Sequence, residues 1–176
     1  MAGALIKISE DTVTSSQSSV TLSGIDSTYD VHMLVVNDFN PVTTNSDVHF
    51  RFTESSSATT NSDYDESGQS IRADATFNNL ADTNRAFFVG SGSLNNTDGK
   101  GFNMIVYIFN AANSSMDTHV TIETIYMAED TTTMLGIHGG GVYTHNSAVD
   151  GVQISCEGPT SNILRGKFTL YGLAKS

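Results

Sequence analysis

Apolar residues return at every second position, in short runs, along almost the whole chain. In Asp47-Val48-His49-Phe50-Arg51-Phe52 the apolar residues Val48, Phe50 and Phe52 alternate with Asp47, His49 and Arg51. The segment from Thr118 to Met127 repeats the pattern with Val120, Ile122 and Tyr126 in phase, as do Val20 with Leu22 and Phe168 with Leu170. A period of two sends successive side chains to opposite faces of a pleated strand, one dry and one wet. No stretch carries the 3.6-residue period of an amphipathic helix in its place. An all-β fold is the expectation.

Two runs are more continuously apolar, Tyr29 to Val36 and Phe102 to Asn110, as suits strands deep in a sheet; the second is expected to be central. Further strands are expected around Ala4-Ile6-Ile8, Ile71 to Ala75, Ala86 to Val89, Met134 to Tyr143, Gly151 to Cys156 and Leu164 to Leu173. The polar tract from Glu54 to Ser70, the segment from Asn78 to Asn84 and the glycine-rich stretch from Gly90 to Gly101 are expected to be loops. About ten strands spaced about 10 to 18 residues apart fit an antiparallel β-sandwich, jelly-roll-like, rather than alternating strands and helices. Met1 to Thr14 reads as an N-terminal arm or first strand, and Ser15 to Ser176 as a single sandwich domain. The last strand, with Phe168 and Leu170 inward and Gly172 easing the exit, is expected to close the sandwich.

Three consecutive glycines, Gly139-Gly140-Gly141, interrupt the strand Met134 to Tyr143. Only glycine enters positive φ freely, so a bulge or tight bend at a sandwich corner is the preferred expectation. The other reading is a close approach to a ligand or to a neighbouring subunit's backbone. In both, Gly140→Val is damaging.

Charged residues make up only 15% of the chain, and the formal net charge is -11. Eight Lys and Arg, scattered, offer no basic patch to displace counterions from phosphates, so nucleic acid and anionic membrane are not expected partners. The single cysteine, Cys156, runs in phase with Val152 and Ile154 and reads as a small buried hydrophobe. No run approaches the ~20 apolar residues of a membrane span. The opening Met1-Ala2-Gly3-Ala4-Leu5-Ile6 soon meets Lys7 and Glu10, so no export signal is read and synthesis in a reducing cytoplasm is expected.

Chemistry-bearing motifs are sparse. Of the five histidines, His32 and His49 fall in strand-like runs with His49 in the wet phase, His119 precedes one, and His138 and His145 flank the glycines. None shows the HExxH spacing of a zinc site. The segment from Asn61 to Gly68 has alternating oxygen ligands, but Glu66 stands where a calcium loop needs its glycine. Asn95-Asn96-Thr97 and Asn113-Ser114-Ser115 match the glycosylation pattern by composition. Gly90-Ser91-Gly92-Ser93 is not a nucleophile elbow. No catalytic, cofactor-binding or metal residue is assigned, and the chain is not expected to be an enzyme.

Several strings resemble one group of proteins: VHMLVVNDFNPVTTNSDVHFRFTES, AFFVGSGS, GGGVYTHNSAVDGVQI and GKFTLYGLAKS. They are similar to small virion proteins of tailed bacteriophages, above all marine and cyanobacterial podoviruses, of tail-fibre or structural type. The similarity runs from about Tyr29 to the C-terminus. It implies a surface-exposed capsid-decoration, fibre or knob module built as a homotrimer. The implied partners are other copies of the chain, other capsid or tail proteins and a host surface glycan, and the implied location is the virion, after synthesis in the bacterial cytoplasm. The family brings no catalytic or metal residues to transfer. The alternative is a host-receptor, glycan-binding module of a tail fibre. That role calls for exposed aromatic residues, and the loops hold only Tyr64. A third reading, a polysaccharide depolymerase, would need a carboxylate pair across a groove.

Overall fold

A computed structural model describes residues 4–74, 76–130, 132–157 and 161–174. They form thirteen strands and, among the described residues, no helix: β1 (Leu5–Val13), β2 (Ser19–Ser23), β3 (Val31–Pro41), β4 (Asp47–Glu54), β5 (Ser57–Ala58), β6 (Tyr64–Arg72), β7 (Phe77–Arg85), β8 (Phe88–Val89), β9 (Phe102–Phe109), β10 (Thr118–Met127), β11 (Met134–Tyr143), β12 (Gly151–Glu157) and β13 (Ile163–Leu173). One sheet has eight strands in the order β1-β13-β3-β9-β10-β11-β6-β7. The other has the order β2-β12-β4, with β5 and β8 paired to opposite ends of β4's far edge. Every named pair is antiparallel.

The connectivity is that of a jelly roll. If β1, β2, β3, β4, β8, β9, β12 and β13 are counted one to eight, the sheets read 1-8-3-6 and 2-7-4-5, the double Greek key. Besides the short β5, the remaining strands β10, β11, β6 and β7 come from two separate insertions, one after β9 and one after β4. They dock on each other through β11 and β6 and widen the first sheet beyond the second.

Alternation explains the core. In β10 buried and exposed positions alternate from Thr118 to Tyr126, and in β9 Phe102, Met104, Val106 and Ile108 all point inward. Across the second sheet Val20, Ile154 and Phe50 form one inward row and Leu22, Val152 and Phe52 the next. Phe168 and Leu170 are fully buried on β13, which lies between β1 and β3, as its alternation foretold. Phe39 packs edge-on against both Phe102 and Phe168.

Four expectations need correction. The tract from Glu54 to Ser70 is not one long loop, because β6 starts at Tyr64 and pairs with β11 over nine positions. Nor is Asn78 to Asn84 a loop, since it lies within β7. Neither strand has a dry face of its own; β7 is exposed along nearly its whole length. Ladder hydrogen bonds to a neighbour hold them, which side-chain period cannot reveal.

The glycines Gly139 to Gly141 do not break β11. They pair in register with Gly68, Ser67 and Glu66, and none has positive φ. They serve close approach of the chain's own neighbouring strand, which neither reading gave: a Cβ on Gly139 would lie 2.5 Å from Ser67 O, and one on Gly141 2.5 Å from Asp65 O.

Gly172, likewise, does not ease an exit but makes room for the Tyr29 ring, which a Cβ there would strike. Of the two readings of residues 1–14, Leu5–Val13 takes the strand and pairs along β13.

Candidate interaction surface

The two outer faces of the sandwich differ in chemistry. On the smaller sheet, Ser19, Thr21 and Ser23 of β2, Gln153 and Ser155 of β12, and His49 and Arg51 of β4 share the outer side. It is polar apart from Val89 of β8 and the Phe87 ring that lies on His49. The eight-stranded sheet turns outward Met33 and Val35 of β3, Ile105 and Tyr107 of β9, Ile125 of β10, Ile71 of β6 and Phe77 of β7. Ile105 is 39%, Tyr107 43%, Ile125 50% and Phe77 63% exposed, so the chain itself leaves this face open. The register joins them into rows: Val35 beside Ile105 beside Glu123, and Met33 beside Tyr107 beside Thr121.

Charge is scarce here. Of the chain's 19 acidic residues, the ladder register places Glu10, Asp65 and Glu123 on the outer side, and Glu10 is paired with Lys7 and Lys167. Glu123 pairs with His138 Nδ1 at 3.4 Å, and Asp65 accepts a hydrogen bond from the backbone of Asn84. Eight strands about 4.8 Å apart and about eight residues long make a face of roughly 900 Å². That is close to the ~800 Å² each partner contributes to a stable interface. Within this face the exposed Ile105, Tyr107, Ile125 and Phe77 are interspersed with Thr121, Glu123, Gln69 and Asn79, and exposed apolar side chains gathered on one face mark an association surface.

The residues singled out for chemistry do not assemble into a site. His49, placed in the wet phase by sequence, is only 3% exposed because Phe87 stacks on its ring at 3.8 Å. Arg85 and Arg51 lie over the same Phe87 ring, at 4.8 and 5.7 Å. Burial, with the fields of Arg85 and Arg51, pushes the His49 imidazolium down to about 4. The neutral ring's Nδ1 lies 2.9 Å from Glu157. His32 faces inward, buried, edge-on to Tyr29, and burial holds its pKa below the usual imidazole range.

His138 and His145 do not converge; they lie seven residues apart on an extended path of about 20 Å. His145 instead joins Tyr143 and Glu54, with its Nδ1 3.1 Å from the Glu54 carboxylate. His119 Nδ1 contacts the Asp117 carbonyl at 3.2 Å.

The calcium-like segment is strand: Asp65 points to the outer face and Glu66 to the inner, so the two cannot share a cation. Among the described residues no group of three His, Cys, Asp or Glu side chains is placed to hold a metal ion. Tyr64 is no loop aromatic. It is fully buried against Phe88 and Tyr143, and its hydroxyl accepts the Phe52 N–H at 2.8 Å. Asn95 is also buried, and its amide donates to the Glu129 carbonyl. Cys156 packs partly buried against the core; burial raises its thiol pKa, which makes it a poor nucleophile.

No protein-family model matches the chain, and no curated protein or solved structure is significantly similar to it.

One buried carboxyl stands apart. Burial pushes Glu66 up to about 7, and the charge of Asp82 adds to this against the opposing effects of the Val89 N–H and Arg85. A folded-state pKa above the unfolded value gives stability that is complete below about 4.5 and is lost as pH rises through about 7. Glu66→Gln keeps an acceptor for the Val89 N–H without the titration. Relative to the variant, the parent is therefore expected to lose on the order of 3 kcal/mol between pH 4.5 and pH 8. Urea unfolding of both proteins across that range measures it. Parallel stability curves would show that Glu66 ionises freely in the fold.

Proposed function

We propose that the chain is a structural protein of a tailed-bacteriophage virion, a surface-exposed capsid-decoration, fibre or knob module. It assembles as a homotrimer by burying the outer face of its eight-stranded sheet. The observation that carries this reading is the contrast between the faces: the smaller presents mainly polar side chains, while the larger leaves Ile105, Tyr107, Ile125 and Phe77 exposed and carries few of the 19 acidic residues of a chain of net charge -11. Copies with so much like charge repel one another except where that charge is missing. The jelly-roll connectivity, a fold used in viral capsids, supports the same reading. So does the resemblance of the strings from Tyr29 onward to phage virion proteins.

Light scattering on the isolated protein is expected to give about three times the 18.8 kDa chain mass. Replacing Ile105 and Ile125 together by Asp is expected to give a folded monomer, because both side chains are exposed in the single chain. A monomeric parent protein, or a double variant that remains trimeric, would overturn the assembly. Immunogold labelling of particles from the virus that encodes the chain tests the location. Label on the particle surface supports the reading, and its absence from intact and disrupted particles alike refutes it.

A further inference from the structure

A pair of glycines hollows the inner face of the widened sheet. Gly68 of β6 and Gly139 of β11 are cross-strand partners, and both face inward. They lie in one row between Ile122 of β10 and Leu80 of β7. Where four side chains would normally fill the space under the sheet, two are missing. The space is a cavity of about 210 Å³, walled by Ile122, Ile137 and Leu80 and roofed by Tyr126 and the Val89–Gly92 segment. Neither glycine could be filled in place, because a Cβ on Gly68 would lie 2.7 Å from His138 O and one on Gly139 2.5 Å from Ser67 O. The hollow is therefore fixed by the closeness of the strands.

One end of this apolar space is acidic. In the next row of the ladder Glu66 stands beside Asp82, and both line the cavity. Asp82 has its counter-charge in Arg85, 3.1 Å away. Glu66 makes no ion pair among the described residues, although the charge of Arg85 reaches it. Both of its carboxylate oxygens lie near one donor, the Val89 N–H, at 3.0 and 3.2 Å. A carboxylate has about four lone-pair sites, so most of its accepting capacity is unused. A purely apolar cavity of about 150 Å³ accepts benzene, and this one is somewhat larger with an acceptor at one end.

We propose that the cavity binds an organic ammonium, an NH₃⁺ group on a compact alkyl or arylalkyl body, with the nitrogen on Glu66 and the body over Gly68 and Gly139. Glu66 supplies charge-assisted hydrogen bonds, and Ile122, Ile137 and Leu80 supply the apolar contact. A carboxylic acid would meet Glu66 and Asp82 as like charges, and a sugar would lose its hydroxyl partners against these walls. The ammonium can come from a free amine or from a lysine side chain, whose four methylenes and terminal nitrogen have the same chemistry. This inference is independent of the virion role and of the outer face.

The test is a pair of matched probes, benzylammonium and benzyl alcohol, titrated into the full chain at pH 8 and followed by amide NMR. The expected result is binding of the ammonium about ten-fold or more tighter than the alcohol, with shifts at Gly68, Gly139 and Val89. In Glu66→Gln the ammonium is expected to weaken about ten-fold while the alcohol does not change. Leu80→Trp, at the exposed rim on β7, is expected to abolish both by filling the cavity. Equal affinities for the two probes, no binding of either, or shifts confined to the outer face around Ile105 and Ile125 would overturn the proposal. These wild-type comparisons decide the matter even if a variant misfolds. Nα-acetyl-lysine methylamide against n-butylammonium then separates the sources: comparable binding assigns the cavity to a protein lysine, and loss of the lysine derivative assigns it to a free amine.

Discussion

Removal of residues 169–176 is expected to leave a chain that does not fold. The deletion takes Leu170, which is fully buried, and the part of β13 that pairs with Val35, Leu34, Met33 and His32 on one side and with β1 on the other. Loss of a buried leucine side chain alone costs about 2 to 5 kcal/mol. Stripping a strand from between two others also exposes the ladder edges of both to water and to other chains. Together these losses match or exceed the 5 to 15 kcal/mol by which a domain of this size is stable. Soluble yield and far-ultraviolet circular dichroism measure the outcome. A truncated chain that is soluble and keeps its β-signal would show that β13 is not part of the core.

The second large effect is at the glycine run. Gly140→Val is expected to unfold the protein or to cost more than about 4 kcal/mol, in the range reserved for steric conflict with backbone. A Cβ at that position would sit 2.6 Å from the Val120 carbonyl oxygen of β10, and a ladder carbonyl cannot move aside as a flexible side chain can. Its neighbours face the same obstacle on the other side, Gly139 at Ser67 O and Gly141 at Asp65 O and the Phe88 ring. The three glycines let β10 and β6 close on β11 from both flanks. Gly92→Ala is the control, since the nearest atom to its added Cβ is 3.7 Å away, and it is expected to be nearly neutral. Chemical denaturation of the three proteins gives the comparison. Parent-like stability in Gly140→Val would mean that the strands lie further apart than described.

What the sequence made legible, and what it did not, follows from where each strand gets its stability. β4, β9, β10 and β13 bury one face of their own, so alternation announces them: Val48, Phe50 and Phe52 point in, and the partners between them point out or sideways. β6 and β7 bury little; β6 depends on a ladder to β11, which is distant in sequence, and β7 on its ladder to β6. Polar residues such as Asn78 and Asn79 can occupy such a strand without any period. His49 misled for a related reason, because its wet phase is covered by Phe87, 38 residues further along, and no local pattern carries that contact.

The apolar outer face was partly visible. Tyr29 to Val36 and Phe102 to Asn110 are too continuously apolar for strands with one wet side, and Met33, Val35, Ile105 and Tyr107 are the surplus. The cavity was not visible at all. It exists because Gly68 and Gly139 are cross-strand partners, and that pairing belongs to the ladder alone.

The pairing of β1 with β13 carries one more implication. Leu5 lies opposite Leu173, and the Ala174 N–H donates to the Ala4 carbonyl at 2.9 Å, so the two ends of the described chain stand side by side at one corner. In topological terms the sandwich is nearly a ring cut at a single point. Two loads attached to opposite ends would leave from the same place. A few residues joining 174 to 4 would make a circularly permuted chain whose opening could be moved to a surface turn such as the one around Gly99, without altering which strands are neighbours.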